Sequence, residues 1–182
     1  HFNLARAYSL KGDAQSLEQS RLHFQETIKL KPSYVPAKLA LSQLEINRGE
    51  NPQALQHAVE ILKVDPTNVT ARLVKTLAEM NMKDFEQSRQ ELTAIVNTYP
   101  NSNDARFQMA RLEFVQGRYK EAEASFQMLV KANDARGTSG IIECKVAEGE
   151  IKEAVDMVNG LIAKNPDNVG YRLALSNLHV NN

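Results

Sequence analysis

A recurring proline sets the terms on which this chain can fold. Pro32, Pro66 and Pro100 stand 34 residues apart, among turn formers in KLKPS, KVDPTN and TYPNSN, and Pro166 follows after 66, two short of two periods. The shortening falls at Ala132 to Asp134, a loop that carries no proline. A small residue keeps the same beat, 12 positions before the proline at Ser20, Ala54, Ser88 and Ala154, with Ala122 in that slot of the fourth unit. A glycine lies five positions earlier still at Gly49, Gly117 and Gly149. Between these landmarks the apolar residues advance by threes and fours, as in Phe107, Ala110, Leu112, Phe114 and Val115, then Ala122, Phe126, Leu129 and Val130. That spacing predicts two helices per unit. The Asp, Asn and Thr residues after the prolines suit the N-caps of the next helices.

The departures from the beat carry expectations of their own. Gly12 precedes Ser20 by eight positions instead of five, which predicts three extra residues around Asp13 to Ser16. Lys83 replaces the glycine of the third unit, where NMKD is expected to turn through its Asn and Asp. Gly137 and Gly140 fall in the first turns of the fifth unit. Each lowers helix stability by roughly 1 kcal/mol against alanine, so the fifth unit, with its short loop, is expected to be the weak joint.

These residues resemble the tetratricopeptide repeat, a helix-turn-helix unit of about 34 residues. Its positions eight and twenty are small, aromatics stand near seventeen and twenty-four, and a proline comes late. The fourth unit carries Ala110, Tyr119, Ala122 and Phe126 in those slots; the first carries Ala5, Tyr8, Ser20, Phe24 and Pro32. The family's tryptophan is absent, position eleven is acidic at Glu45, Glu79 and Glu113, and Ile142 fills a slot that is small elsewhere. This is similar to the degenerate repeats common in bacterial members. The resemblance implies an all-α, right-handed α-solenoid forming a single superhelical domain over 1–182. Five hairpins would occupy approximately 1–34, 35–68, 69–102, 103–134 and 135–168, with a half repeat over 169–182. Both ends fall inside the repeat frame, so the chain is expected to be a segment of a longer or processed protein.

The resemblance also implies that the first helices of successive units line a concave groove for a peptide or partner protein. By the frame this wall holds Phe2 and Arg6, then Leu39, Gln43, Ile46 and Asn47, then Leu73, Leu77, Met80 and Asn81. It continues through Phe107, Arg111, Phe114 and Val115 to Ser139 and Glu143. An apolar floor would take a partner's anchors while Gln43, Asn47 and Asn81 meet its backbone. The apolar members suit core packing between neighbouring helices equally well. Some members of the family grip a partner's C-terminal carboxylates with basic and Asn residues, a device that Leu39, Ala40, Leu73 and Val74 do not supply.

Composition narrows the function. Lysine plus arginine equals aspartate plus glutamate at 22 each, so the chain lacks the broad positive field that nucleic acid or anionic membrane requires. No apolar run approaches the roughly 18 residues of a membrane span. Cys144 is the only cysteine, which excludes an internal disulfide and leaves the compartment open, cytoplasmic or exported. No phosphate-binding loop, dinucleotide fingerprint, H-E-x-x-H or paired C-x-x-C occurs, so no catalytic residue, cofactor or metal is expected. His23 and His57, one period apart, would stack on neighbouring helices; two exposed surface histidines is the plainer reading, because two ligands make a poor site. Cys144 reads as a buried apolar residue, Glu121 and Glu123 as a solvated helix face, and Asn68 in N-V-T as a glycosylation acceptor only in a secretory context. The function expected is a non-catalytic protein-binding scaffold. The alternative is a recognition or regulatory domain of a larger enzyme or of a secretion or assembly protein. Self-association through the open ends stays possible, whereas RNA binding is opposed by the zero net charge.

Overall fold

The computed structural model describes residues 1–180, among which there are eleven α-helices and no strand. They fall into two compact bodies, one over His1–Pro100 and one from Asn101 onward. The first holds α1 (Phe2–Lys11), α2 (Ala14–Leu30), α3 (Val35–Asn47), α4 (Asn51–Leu62), α5 (Val69–Asn81) and α6 (Phe85–Thr98). The second holds α7 (Asn103–Val115), α8 (Tyr119–Lys131), α9 (Ala135–Ala147), α10 (Ile151–Lys164) and α11 (Val169–Val180). Consecutive helices pair as five hairpins followed by one more helix. Residues 181 and 182 of the expected half repeat lie outside the described residues.

Local chemistry fixes the helix ends. Asn68 and Ser102, each two residues after a proline, cap α5 and α7 by accepting the backbone N–H of Ala71 at 3.0 Å and of Ala105 at 3.3 Å. Asn68 also donates to Asp65, so the amide of the N-V-T triplet is engaged in the cap and the turn. Gly49, Gly117 and Gly149 all have φ between 73° and 80°, the left-handed conformation that a side chain disfavours. The third unit makes the same turn, but Lys83 itself takes the left-handed position, at φ 68°. Its Asn and Asp do not turn the chain as expected. The three extra residues of the first hairpin are helical: α2 is 17 residues long against 12 to 14 for the other second helices, and Asp13 caps it through the Ser16 N–H and hydroxyl.

The beat of small residues is the seam of each hairpin. Ser20, Ala54, Ser88, Ala122 and Ala154 are all completely buried, as are Ala5, Ser42, Thr76 and Ala110 on the first helices of the first four hairpins. On the second helices serine is tolerated because its hydroxyl finds a backbone acceptor on the facing helix, whereas Ser42 Oγ donates to the Lys38 carbonyl of its own helix. Ser20 Oγ donates to the Ala5 carbonyl at 2.8 Å and Ser88 Oγ to that of Thr76 at 3.0 Å. Around the seam, Phe24 packs with Ala5, Ala37, Leu41 and Leu44 in the first body, and Phe126 with Ala110, Ala122, Leu129, Ile141 and Cys144 in the second. Ala122→Leu is expected to lower stability by about 1–3 kcal/mol through overpacking, whereas a change at the exposed Glu121 should leave it unaltered. Equal melting temperatures for Ala122→Leu and the parent would refute this seam.

In the fifth hairpin the two helix-breaking glycines serve the packing of α9 on its preceding neighbour. Gly137 and Gly140 are buried in α9 where it crosses α8. A Cβ on Gly137 would stand 2.6 Å from the Phe126 carbonyl oxygen, and one on Gly140 would fall into the Phe126 ring, 2.5 Å from Cγ. The two glycines permit a close crossing of α9 on α8, so the contact between the fourth and fifth hairpins is tight although both residues lower helix propensity.

Candidate functional site

Each body carries one hollow that gathers residues expected on a partner-binding wall. In the first, Arg6, Ser9 and Leu10 of α1 face Ala40, Gln43, Leu44 and Asn47 of α3 across a floor of Leu17 and Phe24, enclosing about 360 Å³. Helical spacing aligns these groups, since Gln43 and Asn47 are one turn apart and hydrogen-bonded at 3.1 Å. A second hollow of about 210 Å³ shares Leu17, Leu44 and Asn47 and is closed by Ala14 and Arg48. Arg48 is held by Glu18 at 2.9 Å and Glu50 at 2.8 Å. Farther along this body Asn81 donates to Asn51 at 2.9 Å. Leu39 and Leu77 are half-buried, with Leu39 packed against the cluster of Ala54, Ala58, Val74 and Ala78. Leu73 is only 9% exposed, so core packing claims it and it offers a partner almost nothing.

In the second body a hollow of about 250 Å³ lies between α7 and α9, lined by Phe107, Arg111, Phe126, Arg136, Ser139 and Glu143. Arg111 donates to Glu143 at 2.6 Å and lies over the Phe114 ring, which is itself half-buried against the Phe126 cluster. Arg136 covers the Phe107 ring and is tied to Asp104 at 2.8 Å and Asp134 at 2.6 Å. The guanidinium beside Asp134 holds that carboxyl down to about 2. The repeat frame did not point to Arg136, which lies one turn before Gly140; its only sequence signal is the Asp two residues earlier. Leu10, Leu17 and Leu44 were missed in the first body because they stand outside the frame positions assigned to the wall.

The groups that invite a catalytic or metal reading are engaged elsewhere. His57 approaches Glu45 at 3.4 Å and Glu60 at 4.0 Å, while His23 stacks on Tyr8 and meets His1. Both are half-buried and do not stand as an exposed pair. Of the position-eleven acids, Glu45 and Glu79 point inward, at 4% and 7% exposure, with Glu79 held by Lys75 at 2.8 Å. Burial pushes the Glu113 carboxyl up, and the Ser125 hydroxyl, donating at 2.7 Å, opposes that in part. Cys144 is fully buried, and desolvation pushes its thiol up to about 11, opposite to what a nucleophile needs. Among the described residues no three His, Cys, Asp or Glu side chains are grouped to hold a metal, and no helix is long and apolar enough to cross a membrane.

Comparison with known proteins agrees with this geometry. A family model described as tetratricopeptide repeat matches residues 73–137, from α5 into α9. No curated protein matches the chain. Among solved structures it is similar to a thermophilic TPR protein of Thermus thermophilus, with a TM-score of 0.82 at 17% identity over 98% of both chains. It is also similar to a tetratricopeptide repeat protein from Parabacteroides merdae, with a TM-score of 0.68 at 18% identity over 97% of this chain and 70% of that one. A chain of the APC/C hetero-tetramer Cut9-Hcn1 gives a TM-score of 0.71 at 14% identity over 92% of this chain and 34% of that one. At such identities the likeness concerns the fold.

Proposed function

We propose, on the premise that the chain is a tetratricopeptide repeat protein, that it is a non-catalytic scaffold holding an extended or helical segment of another polypeptide against the first helices of its hairpins. The fold is one of protein-binding scaffolds, and the Cut9-Hcn1 neighbour is itself part of a hetero-tetramer. The observation that carries the proposal is the pair of open hollows between consecutive first helices, α1 with α3 and α7 with α9. Each has an aromatic floor and polar side chains at its rim. An apolar side chain of the partner would enter the hollow, and its backbone would meet the polar groups of the rim, amides in the first body and Arg111, Ser139 and Glu143 in the second.

In the first body Arg6, Gln43 and Asn47 would supply those contacts, with Leu39, Leu77 and Asn81 extending the surface. In the second, Phe107, Arg111, Phe114 and Glu143 would do so. The exposed Gln43, Asn47 and Asn81 lie outside the core, so they can be changed without harming the fold. Panning a random-peptide display library on the chain is expected to enrich binders that Gln43→Ala/Asn47→Ala/Asn81→Ala or Arg111→Ala weakens about tenfold, equivalent to about 1.4 kcal/mol. The melting temperature should not move for the triple change at the exposed amides. Enriched peptides insensitive to all four changes would defeat the groove assignment.

A further inference from the structure

The two hollows occupy the same place in the repeat frame, which makes their differences informative. Allowing for the three extra residues of the first hairpin and the two missing from the fifth loop, Arg6 corresponds to Arg111, Phe24 to Phe126 and Gln43 to Glu143. In the second body the arginine is neutralised within the chain, since Arg111 Nη1 donates to Glu143 Oε2 at 2.6 Å. In the first body an amide stands where that carboxylate would be. Gln43 turns its Nε2 to Asn47, and Arg6 has no hydrogen-bond or ion-pair partner among the described residues. The hollow is also extended on one side. The early start of α2 brings Ala14 beside Leu17 and Leu44, and Leu10 at the lip is 87% exposed.

From this contrast, and resting on the groove reading above, we infer that the first body recognises an internal segment of a partner polypeptide that pairs an aliphatic side chain with a nearby Asp or Glu. The aliphatic group fills the space bounded by Leu10, Leu17 and Leu44. The carboxylate takes on Arg6 the place that Glu143 takes on Arg111. A guanidinium paired by a bidentate or single charge-assisted bond discriminates strongly against the isosteric amide. One free arginine on α1, with the amides of Gln43 and Asn47 on α3 lining the same hollow for the backbone, suits a side-chain carboxylate within a continuous segment.

The test uses the 182-residue chain and fluorescein-labelled, C-terminally amidated peptides of Gly and Ser carrying Leu with Asp, Leu with Asn, or Leu with Lys, at zero, one or two intervening residues. Fluorescence anisotropy should show the best Leu-Asp probe binding about tenfold more tightly than its Leu-Asn counterpart. Gln43→Glu should erase that preference by seating a carboxylate on Arg6 from within the chain. Arg6→Glu should transfer the preference to Leu-Lys. Both positions are exposed, and unchanged thermal unfolding would show that neither variant acts through the fold. Equal affinity for Leu-Asp and Leu-Asn, or a preference that survives Gln43→Glu, overturns the inference. If display-selected peptides still bind in a manner sensitive to Gln43 and Asn47, the groove reading stands without it. If nothing binds at all, both fall.

Discussion

Gly140→Ala is expected to destabilise the second body by about 2–3 kcal/mol, because overpacking outweighs the roughly 1 kcal/mol that alanine gains over glycine within a helix. The added Cβ would enter the ring of Phe126, 2.5 Å from Cγ and nearer still to Cδ1 and Cε1, against about 3.5–4.0 Å for an ordinary carbon contact. That ring is completely buried and cannot swing into solvent. Gly137→Ala should behave alike, since its Cβ would meet backbone atoms, the Phe126 oxygen at 2.6 Å and the Val130 nitrogen at 2.7 Å. Gly160 supplies the internal control. It lies within α10 with nothing inside 4 Å of its added Cβ, so Gly160→Ala should raise stability by up to about 1 kcal/mol. Urea unfolding of the three variants gives opposite signs if α9 crosses α8 as described. A stabilised Gly140→Ala would show that the crossing is looser than these distances.

The same glycines mark where sequence reasoning reaches its limit. Proline and small-residue spacing is legible because a hairpin's dimensions impose it: Ala54 and Ala122 must vanish between helices at a fixed interval, and both are fully buried. Helix propensity, by contrast, is a property of one residue. The need for Gly140 arises from a ring on a different helix, which no local pattern shows. Lys83 is the converse case, where the turn geometry persists without the residue that usually announces it. His23 and His57 keep the period, yet their neighbours divide them, one stacking on Tyr8 and the other resting on Glu45.

For the candidate site, the frame brings together Arg6, Gln43 and Asn47 in one hollow and Phe107, Arg111 and Glu143 in the other. Periodicity assigns a residue to a helix face, and on a face shared between seam and groove small rotations decide the rest. Leu73 turns inward while Leu39 and Leu77 stay half-buried. Arg136 escaped notice because its position is defined by the Phe107 ring beneath it. The charge contrast between Gln43 and Glu143 is present in the sequence, but it acquires meaning only once Arg111 is seen bonded to Glu143.

Phe126→Ala should have the largest effect of all, a loss of about 3–5 kcal/mol. The ring is the largest buried group of its cluster, touching Ala110, Ala122, Leu129, Ile141 and Cys144, with Phe107 at 6.1 Å between ring centroids. Small residues surround it on several sides and have no side-chain length with which to refill the space. A cavity therefore remains, and its volume adds to the lost transfer free energy. Denaturant titration, followed by hydrogen exchange at the amides of α8 and α9, would register the loss. The decisive measurement is the pair with Gly140. A methyl at position 140 and the ring at 126 compete for one volume, so in the Phe126→Ala background Gly140→Ala should cease to harm and should recover part of the stability. The coupling between the two changes should exceed about 1 kcal/mol. Strict additivity would mean that ring and glycine do not share that space, and the crossing of α9 on α8 would then not be the tight one described.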